Sequence, residues 1–372
     1  MICELLYIIF ILATLSQIIF WLFLFSKLAF YKEKSSENFA PKQQQPVSVI
    51  VCARNEEENL KKNLPRILTQ NYRSHEVVVI NDGSTDQTKN ILLKFLLEYP
   101  ILCSQDVLDK PPGGGKKYAL AQGIKVAKHE VLLMTDADCQ PSTTDWLSEM
   151  QLRIRGPFEI VLGYAPYFKS KGFLNLFIRY ETVYTAVQYL SFALAGHAYM
   201  GVGRNLAYKK ALFHKVGGFK SHEHVMSGDD DLFINAVADR NNVDICLDKR
   251  SFVYSEPEKT WRNYFRQKTR HLTTGKHYKL KHQFLLGILS LGHLLHYTGG
   301  FILLITCNDS MIFVIFLYVL RLMIVMIMMN RILKRLDDQS LLFYIPFLDA
   351  IFLLYYLSFA HKLLSRKQKQ WK

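Results

Sequence analysis

The 372-residue sequence has no CxxC pair, no internal repeat and no low-complexity tract. Its six cysteines (Cys3, Cys52, Cys103, Cys139, Cys246, Cys307) are scattered, which excludes a zinc ribbon and gives no sign of a disulfide framework. Free thiols in a reducing compartment are therefore expected. There is no arginine-rich arm and no nucleic-acid motif, so no nucleic-acid partner is expected despite a formal charge of +14. The excess of positive charge points instead to phosphate or a membrane surface. No Ser or Thr follows the lysines of Gly113-Gly114-Gly115-Lys116-Lys117, which excludes a P-loop. A secretory signal peptide fits poorly. Glu4 precedes the first hydrophobic run, no basic segment leads into it, and no small-residue cleavage site follows.

What is present is hydrophobic sequence gathered at the two ends. Residues 5–30 are almost uninterrupted apolar sequence, long enough to cross about 30 Å of hydrocarbon as a helix. Lys27, Lys32 and Lys34 cluster at its end, so the positive-inside rule places the following segment in the cytoplasm. The pattern divides into an anchor at 1–34, a polar linker at 35–46, a mixed α/β domain at 47–282, membrane segments at 283–361 and a basic tail at 362–372. Residues 284–305, 311–329 and 341–360 are each about a bilayer long. Three full crossings would carry the tail, with Lys362, Arg366, Lys367 and Lys369, to the outside. The stretch with Pro346 and Asp349 is the candidate for a re-entrant or interfacial segment, because a carboxylate in lipid is expensive. An integral membrane protein with a cytoplasmic domain is expected.

The middle of the chain alternates β-branched runs with helical patterns. Residues 47–53, 77–80 and 131–135 read as buried strands; 59–68 and 85–97 read as helices. This alternation predicts a mostly parallel sheet, with ligands beyond the carboxyl ends of the strands. The polar residues after each strand are the place to search.

Arg54-Asn55-Glu56-Glu57 follows the first strand, and Asn81-Asp82-Gly83-Ser84-Thr85-Asp86 the second. Ser84 or Thr85 can cap the next helix. Asp82 is either a turn residue or a ligand for base or ribose. Lys116 heads an apolar helix and can present its ammonium to a diphosphate, although such a loop is often only surface. Asp136-Ala137-Asp138 follows the third strand, where two carboxylates can converge on one hard cation such as Mg²⁺ or Mn²⁺. Asp229-Asp230-Asp231 packs three carboxylates at the start of an apolar helix; either it is a solvated loop or one of them serves as a general base. Gln267 and Arg270, three apart on a helix, suit a phosphate oxyanion or a sugar hydroxyl, or form an ordinary polar face. Trp261, Tyr264 and Phe265 beside Arg262 and Arg266 suit a helix lying on the membrane. The stripe Phe173, Phe177, Tyr180, Tyr184 and Val187, at helical spacing, fits either such a helix or a buried core.

Singly these signals are weak, but their order is informative. RNEE, NDGSTD, GGKK, DAD, GDDDLF and QKTRH occur in that sequence between membrane segments. Over residues 47–275 the chain resembles the membrane-integrated family 2 inverting glycosyltransferases of GT-A fold, which include cellulose, chitin and hyaluronan synthases and ceramide glucosyltransferase. The resemblance implies a Rossmann-like GT-A domain with transmembrane helices at both ends. It implies that Asn55, Glu56 and Asp82 contact the nucleoside, and Lys116 the diphosphate of a nucleotide-sugar donor, with a UDP-sugar expected. Asp136 and Asp138 match the metal-binding DxD, with Asp138 the direct ligand. Gly203-Arg204-Asn205 matches a segment lining the acceptor side. Asp229-Asp230 matches the catalytic acidic pair, with Asp230 taken as base; alignment on Leu232 would favour Asp229. Gln267 and Arg270 match QxxRW and would hold the leaving diphosphate. His271 stands where that motif has Trp. With few C-terminal spans, this favours a lipid-linked or membrane-embedded acceptor over a processive polysaccharide synthase. A sugar nucleotidyltransferase is the competing class, but its Gly-rich Thr-Arg loop is missing after the first strand.

Overall fold

The computed structural model describes residues 2–33, 44–107, 115–225, 227–307 and 311–364. Most of the expected linker (34–43), Gly113 and Gly114, the turn at 308–310 and the basic tail from 365 on lie outside the described residues.

In chain order, helix α1 (Ile2–Ile19) runs through a wider turn (Phe20–Phe25) into α2 (Ser26–Ala29). Then come β1 (Val47–Ala53), α3 (Glu57–Leu68), β2 (His75–Asn81), α4 (Thr88–Glu98), β3 (Leu102–Asp106), α5 (Lys116–Val126), β4 (Val131–Asp136) and β5 (Cys139–Pro141). They are followed by α6 (Trp146–Gln151), β6 (Ile160–Gly163), α7 (Phe173–Leu194), β7 (Leu206–Lys209), α8 (Lys210–Lys215), α9 (Asp231–Val237), β8 (Val243–Cys246) and β9 (Val253–Ser255). The chain ends with α10 (Trp261–Leu272), α11 (Leu280–Thr306), α12 (Met311–Arg335) and α13 (Ile345–Leu364).

Seven strands form one sheet in the order β3-β2-β1-β4-β7-β6-β8, in which only β7 runs against the rest. The expected mostly parallel α/β domain is thus present. Its strands are buried on both faces, as parallel strands between helix layers must be. Val49 and Val51 point into a core with α3, α4 and α6, while Ile50 points into one with α5 and α7. Gly123 of α5 lets that helix settle on the sheet: a Cβ there would stand 2.8 Å from Ile50 Cγ2 and 3.1 Å from Ile80 Cγ1. Strand order reverses between β1 and β4; the register of β1 sets Cys52 beside Asp136 of β4 and Ala53 beside Asn81 of β2. The residues after β1, β2 and β4 therefore emerge together at one rim, at the switch point where such sheets bind ligands.

Four helical segments are long and apolar enough to cross a membrane: Cys3–Ala29, Leu280–Thr306, Met311–Arg335 and Gln339–Phe359. α1 packs along α11, where the Phe10 and His296 rings stack and Thr14 Oγ1 lies 2.8 Å from His296 Nδ1. At the end of this pair farthest from the sheet, Cys3 and Cys307 form a disulfide with Cα atoms 6.3 Å apart. The expectation of six free thiols is therefore corrected; Cys52, Cys103, Cys139 and Cys246 are free. A separation of 304 residues hid a pairing that only the packing of α1 on α11 creates.

Asp349 does not lie alone in an apolar helix. It pairs with Arg321 of α12 and accepts a hydrogen bond from Tyr297 of α11 at 2.5 Å, with His293 Nε2 at 3.3 Å and Tyr180 of α7 donating at 3.3 Å. Beyond that point α13 stays against domain helices. Phe352 and Tyr355 meet Phe177 of α7, and Phe359 meets Phe265 of α10. The stripe of α7 is mostly core, with Phe177, Tyr180 and Tyr184 buried and Phe173 at the exposed edge.

Candidate active site

The loops after β1 and β2 are fastened to each other. Asn55 adopts φ 57°, a left-handed conformation that Asn tolerates better than most residues. Its N–H donates to Ser84 Oγ at 3.0 Å, and its Oδ1 accepts from the Thr85 N–H at 2.7 Å. Glu56 N–H donates to Thr88 Oγ1 at 2.9 Å, and Glu57 Oε2 accepts from Gln87 N–H at 2.8 Å. Helix α4 starts at Thr88 without a side-chain cap, so neither Ser84 nor Thr85 caps it, contrary to expectation. Both serve the loop-to-loop contact instead. Asp82 is buried at the end of β2, near Cys52.

Glu56 faces the metal-type carboxylates. Burial pushes its carboxyl up to about 6, with a smaller push from Asp138 and Asp136. Asp136, Asp138 and Cys139 bring one ligand atom each within 4.8 Å of one another. Burial raises the Asp138 carboxyl, Asp136 raises it further, and Arg204 works the other way. Arg204 is half-buried, lies 4.3 Å from the Tyr167 ring centroid and donates to Ser255 Oγ.

Lys116, the first residue of α5, bridges the rim. Its Nζ lies 2.7 Å from Asp136 Oδ1 and 3.2 Å from Asp229 Oδ2. Burial opposes its charge, but Asp136 and Asp229 hold the ammonium well above its ordinary value. A cation is already drawn to these carboxylates, and two hard oxygen donors two residues apart fit a divalent ion. Lys117 turns away: its Nζ donates to the carbonyls of His222 (2.6 Å) and Val225 (2.8 Å) and pins the segment before the aspartates.

The three aspartates have different partners. Lys116 keeps Asp229 below its ordinary value in spite of burial. Asp230 caps α9, accepting from the Asp231 N–H at 2.7 Å, while its other oxygen accepts from the Gly203 N–H at 2.7 Å. The missing side chain at Gly203 permits this approach, since a Cβ would stand 3.2 Å from Asp230 Oδ2. Burial, then Asp229 and Asp231, push Asp230 up to about 7. Asp231 turns to the segment that joins α10 to α11, where it accepts from Thr274 Oγ1 and, at 2.8 Å, from the Tyr278 hydroxyl.

Lys116, Asp136, Asp229 and Asp230 line one narrow cleft, together with Ile50, Cys52, Thr135 and Gly203. Two roomier grooves, at Gln151–Phe158 and around Arg240–Ile245, lie at the amino ends of the strands, away from this rim. Gln267 and Arg270 do not line the cleft; they lie half-buried on α10, about two turns and one turn before Thr274. His271 lies exposed on α10 and does not line the cleft either. Desolvation by the surrounding side chains, with Lys268, Arg270 and Arg204 nearby, holds its imidazole below the ordinary value. The anchoring of Asp231, the tether of Lys117 and the closeness of Arg204 to Asp138 were not read from the sequence. The third Asp of the run and the second Lys were the available signals.

Residues 48–217 match the model for glycosyl transferase family 2, and residues 160–333 that for glycosyl transferase family group 2. A probable glycosyltransferase, YdaM, of Bacillus subtilis is 26% identical over 243 residues, covering 60% of this chain and 54% of that protein. A dolichyl-phosphate beta-glucosyltransferase of Trichomonas vaginalis is 36% identical over 102 residues, covering 25% and 30%. A poly-beta-1,6-N-acetyl-D-glucosamine synthase of Staphylococcus epidermidis is 33% identical over 92 residues, covering 25% and 21%. The chain thus spans about half the length of the first of these relatives and less than a third of the other two. Among solved structures, the mannosyltransferase PcManGT of Pyrobaculum calidifontis, in complex with GDP-Man and Mn²⁺, superposes with a TM-score of 0.59 at 18% identity, covering 94% of this chain and 99% of that one. That likeness concerns the fold.

Proposed function

The chain belongs to the family 2 glycosyltransferases of GT-A fold, and from that premise we propose that it moves a sugar from a nucleotide-sugar donor, with inversion, to a hydroxyl of a lipid-linked or membrane-embedded acceptor. The observation that carries this reading is the convergence of Lys116, Asp136, Asp229 and Asp230 on one cleft at the carboxyl rim of the sheet. Asn55, Glu56 and Asp82 edge the same rim and would receive the nucleoside. Asp136 and Asp138 would hold a divalent ion, which supplies positive charge against the diphosphate. Lys116 would shift from Asp136 to that diphosphate, and Gln267 and Arg270 would close on it from α10.

Asp230 takes the proton of the acceptor hydroxyl. The acceptor oxygen bonds to the anomeric carbon as the bond from that carbon to the diphosphate oxygen breaks, and the diphosphate leaves with the electron pair. The pair of backbone N–H donors on Asp230 aims its carboxylate, and a value near 7 suits a base at neutral pH. Lys116 and Arg270 act on charge that develops on the leaving group, so they contribute mainly in the transition state.

We place the catalytic domain on the cytoplasmic side. Arg331 stacks on Phe30 at 4.6 Å and Arg335 donates to the Ala29 carbonyl, so the basic ends of α2 and α12 meet beside the domain. The disulfide lies at the opposite end, where an oxidising compartment would maintain it. With α1, α11 and α12 crossing and α13 resting against α7 and α10, α13 itself stays on the inner side.

The test is a panel of nucleotide sugars given to membranes carrying the chain, with membrane lipids as acceptors. Release of nucleoside diphosphate that EDTA stops, and a product of opposite anomeric configuration to the donor, are expected. No diphosphate release from any nucleotide sugar, or retained configuration, would overturn the reading.

A further inference from the structure

Helix α10 carries Arg262, Arg266 and Arg270 four residues apart, so they stack on successive turns of one face over about 12 Å. Arg262 and Arg266 are exposed and Arg270 is half-buried. Among the described residues none of the three pairs with a carboxylate; Arg270 meets only the neighbouring His271, at 3.5 Å. The opposite face is satisfied. Tyr264 is buried against Phe177, Phe265 packs on Phe359, and Lys268 pairs with Glu181. The cation on the packed face has its counter-ion, while three like charges on the open face repel one another along the helix.

The ends of this strip are fixed. At the amino end Trp261 meets Phe173, which in turn meets Phe347, and all three are exposed apolar side chains beside the candidate membrane spans. At the carboxyl end Thr274 and Tyr278 hold Asp231, the neighbour of Asp230. The strip therefore runs from an apolar edge to the catalytic loop. A donor diphosphate at Lys116 and Arg270 does not reach Arg262, two turns further on. Guanidinium groups in a row suit phosphate oxygens, which they can grip in bidentate fashion.

We infer that Arg262 and Arg266, leading to Arg270, hold the phosphate-bearing headgroup of the acceptor lipid and line it up with Asp230. This rests on the glycosyl-transfer reading and narrows its acceptor to an anionic lipid.

The test uses the full chain in nanodiscs, a radiolabelled nucleotide sugar, and membrane lipids separated by anion exchange into neutral and anionic pools. Label should enter the anionic pool. Replacing both residues, Arg262→Ala with Arg266→Ala, should raise the KM for that pool by about tenfold or more while the donor KM changes by less than about twofold. Arg262→Lys with Arg266→Lys should fall between, because charge survives and the bidentate grip does not. Label in the neutral pool, or an acceptor KM unmoved by the alanine pair, overturns the inference. So does a KM shift that disappears in discs of neutral phosphatidylcholine, since the strip would then serve attraction to the bulk surface. Failure of glycosyl transfer itself would look different: no label in either pool with the unaltered chain.

Discussion

At the scale of single residues, the cleft separates the roles of two adjacent carboxylates. Asp229 pairs with Lys116, while among the described residues Asp230 has two N–H donors and no ion pair. As the proposed base, Asp230 acts only when ionised, so kcat/KM should rise with pH along a limb centred near 7 and level off above it. Asp229→Asn removes a neighbouring negative charge and should move that limb to lower pH; a limb unmoved in the variant would remove Asp229 as a cause. Stability should run the other way. A carboxyl raised above its unfolded value contributes most at low pH, and that contribution is lost as pH rises through about 7. Asp230→Asn should therefore melt at a higher temperature than the unaltered chain at pH 8, with the gap closing toward pH 4. Equal melting temperatures across that range would contradict the buried, crowded setting of Asp230.

At the scale of elements, the sheet depends on close seating of α5, because Lys116 starts the helix that Gly123 presses onto Ile50 and Ile80. Gly123→Val should cost roughly 1–3 kcal/mol of overpacking, measured as a lower denaturation midpoint with unchanged slope. It should also weaken donor binding by displacing Lys116. Strands β1, β2 and β4 were legible because a strand buried on both faces is a continuous apolar run, and an Asp or Asn directly after such a run marks the rim. The three- and four-residue strands β5, β6, β7, β8 and β9 were not legible, being too short to show the run of alternating or apolar residues that reveals a strand. Their pairings are remote as well: Cys139 lies against Ser255 and Ile160 against Val243. The start of α4 was misplaced because Ser84 and Thr85, good caps by type, are taken up by Asn55.

At the scale of the whole molecule, a sheet domain and a helical bundle share one boundary, made of α7, α10 and α13 with the inner ends of α1, α11 and α12. The conflict over the tail existed in the sequence because hydropathy alone cannot separate a helix that crosses from one that lies against a domain. Tertiary contact is what favours the second for α13 in the proposed topology: Phe352, Tyr355 and Phe359 all meet domain aromatics. The pairing of Arg321 with Asp349 likewise joins residues that hydropathy treats as isolated costs. The Cys3–Cys307 bridge predicts a chain that migrates faster on non-reducing gels and loses about 2–5 kcal/mol on reduction. In intact cells a membrane-impermeant maleimide should label these two thiols only after a reductant is added. Labelling without reductant, or none after it, would refute the proposed orientation.

In the proposed reaction, one rim binds a nucleoside diphosphate and its divalent ion with Asp138 and runs the chemistry through Asp230. Calorimetric titration of a nucleoside diphosphate with Mn²⁺ into the unaltered chain, Asp138→Asn and Asp230→Asn, paired with turnover of the same preparations, separates the two roles. Binding lost in Asp138→Asn, and binding kept with kcat lower by about 10²–10⁴-fold in Asp230→Asn, is the predicted pattern. Full turnover by Asp230→Asn, or metal-dependent binding undiminished in Asp138→Asn, would contradict it.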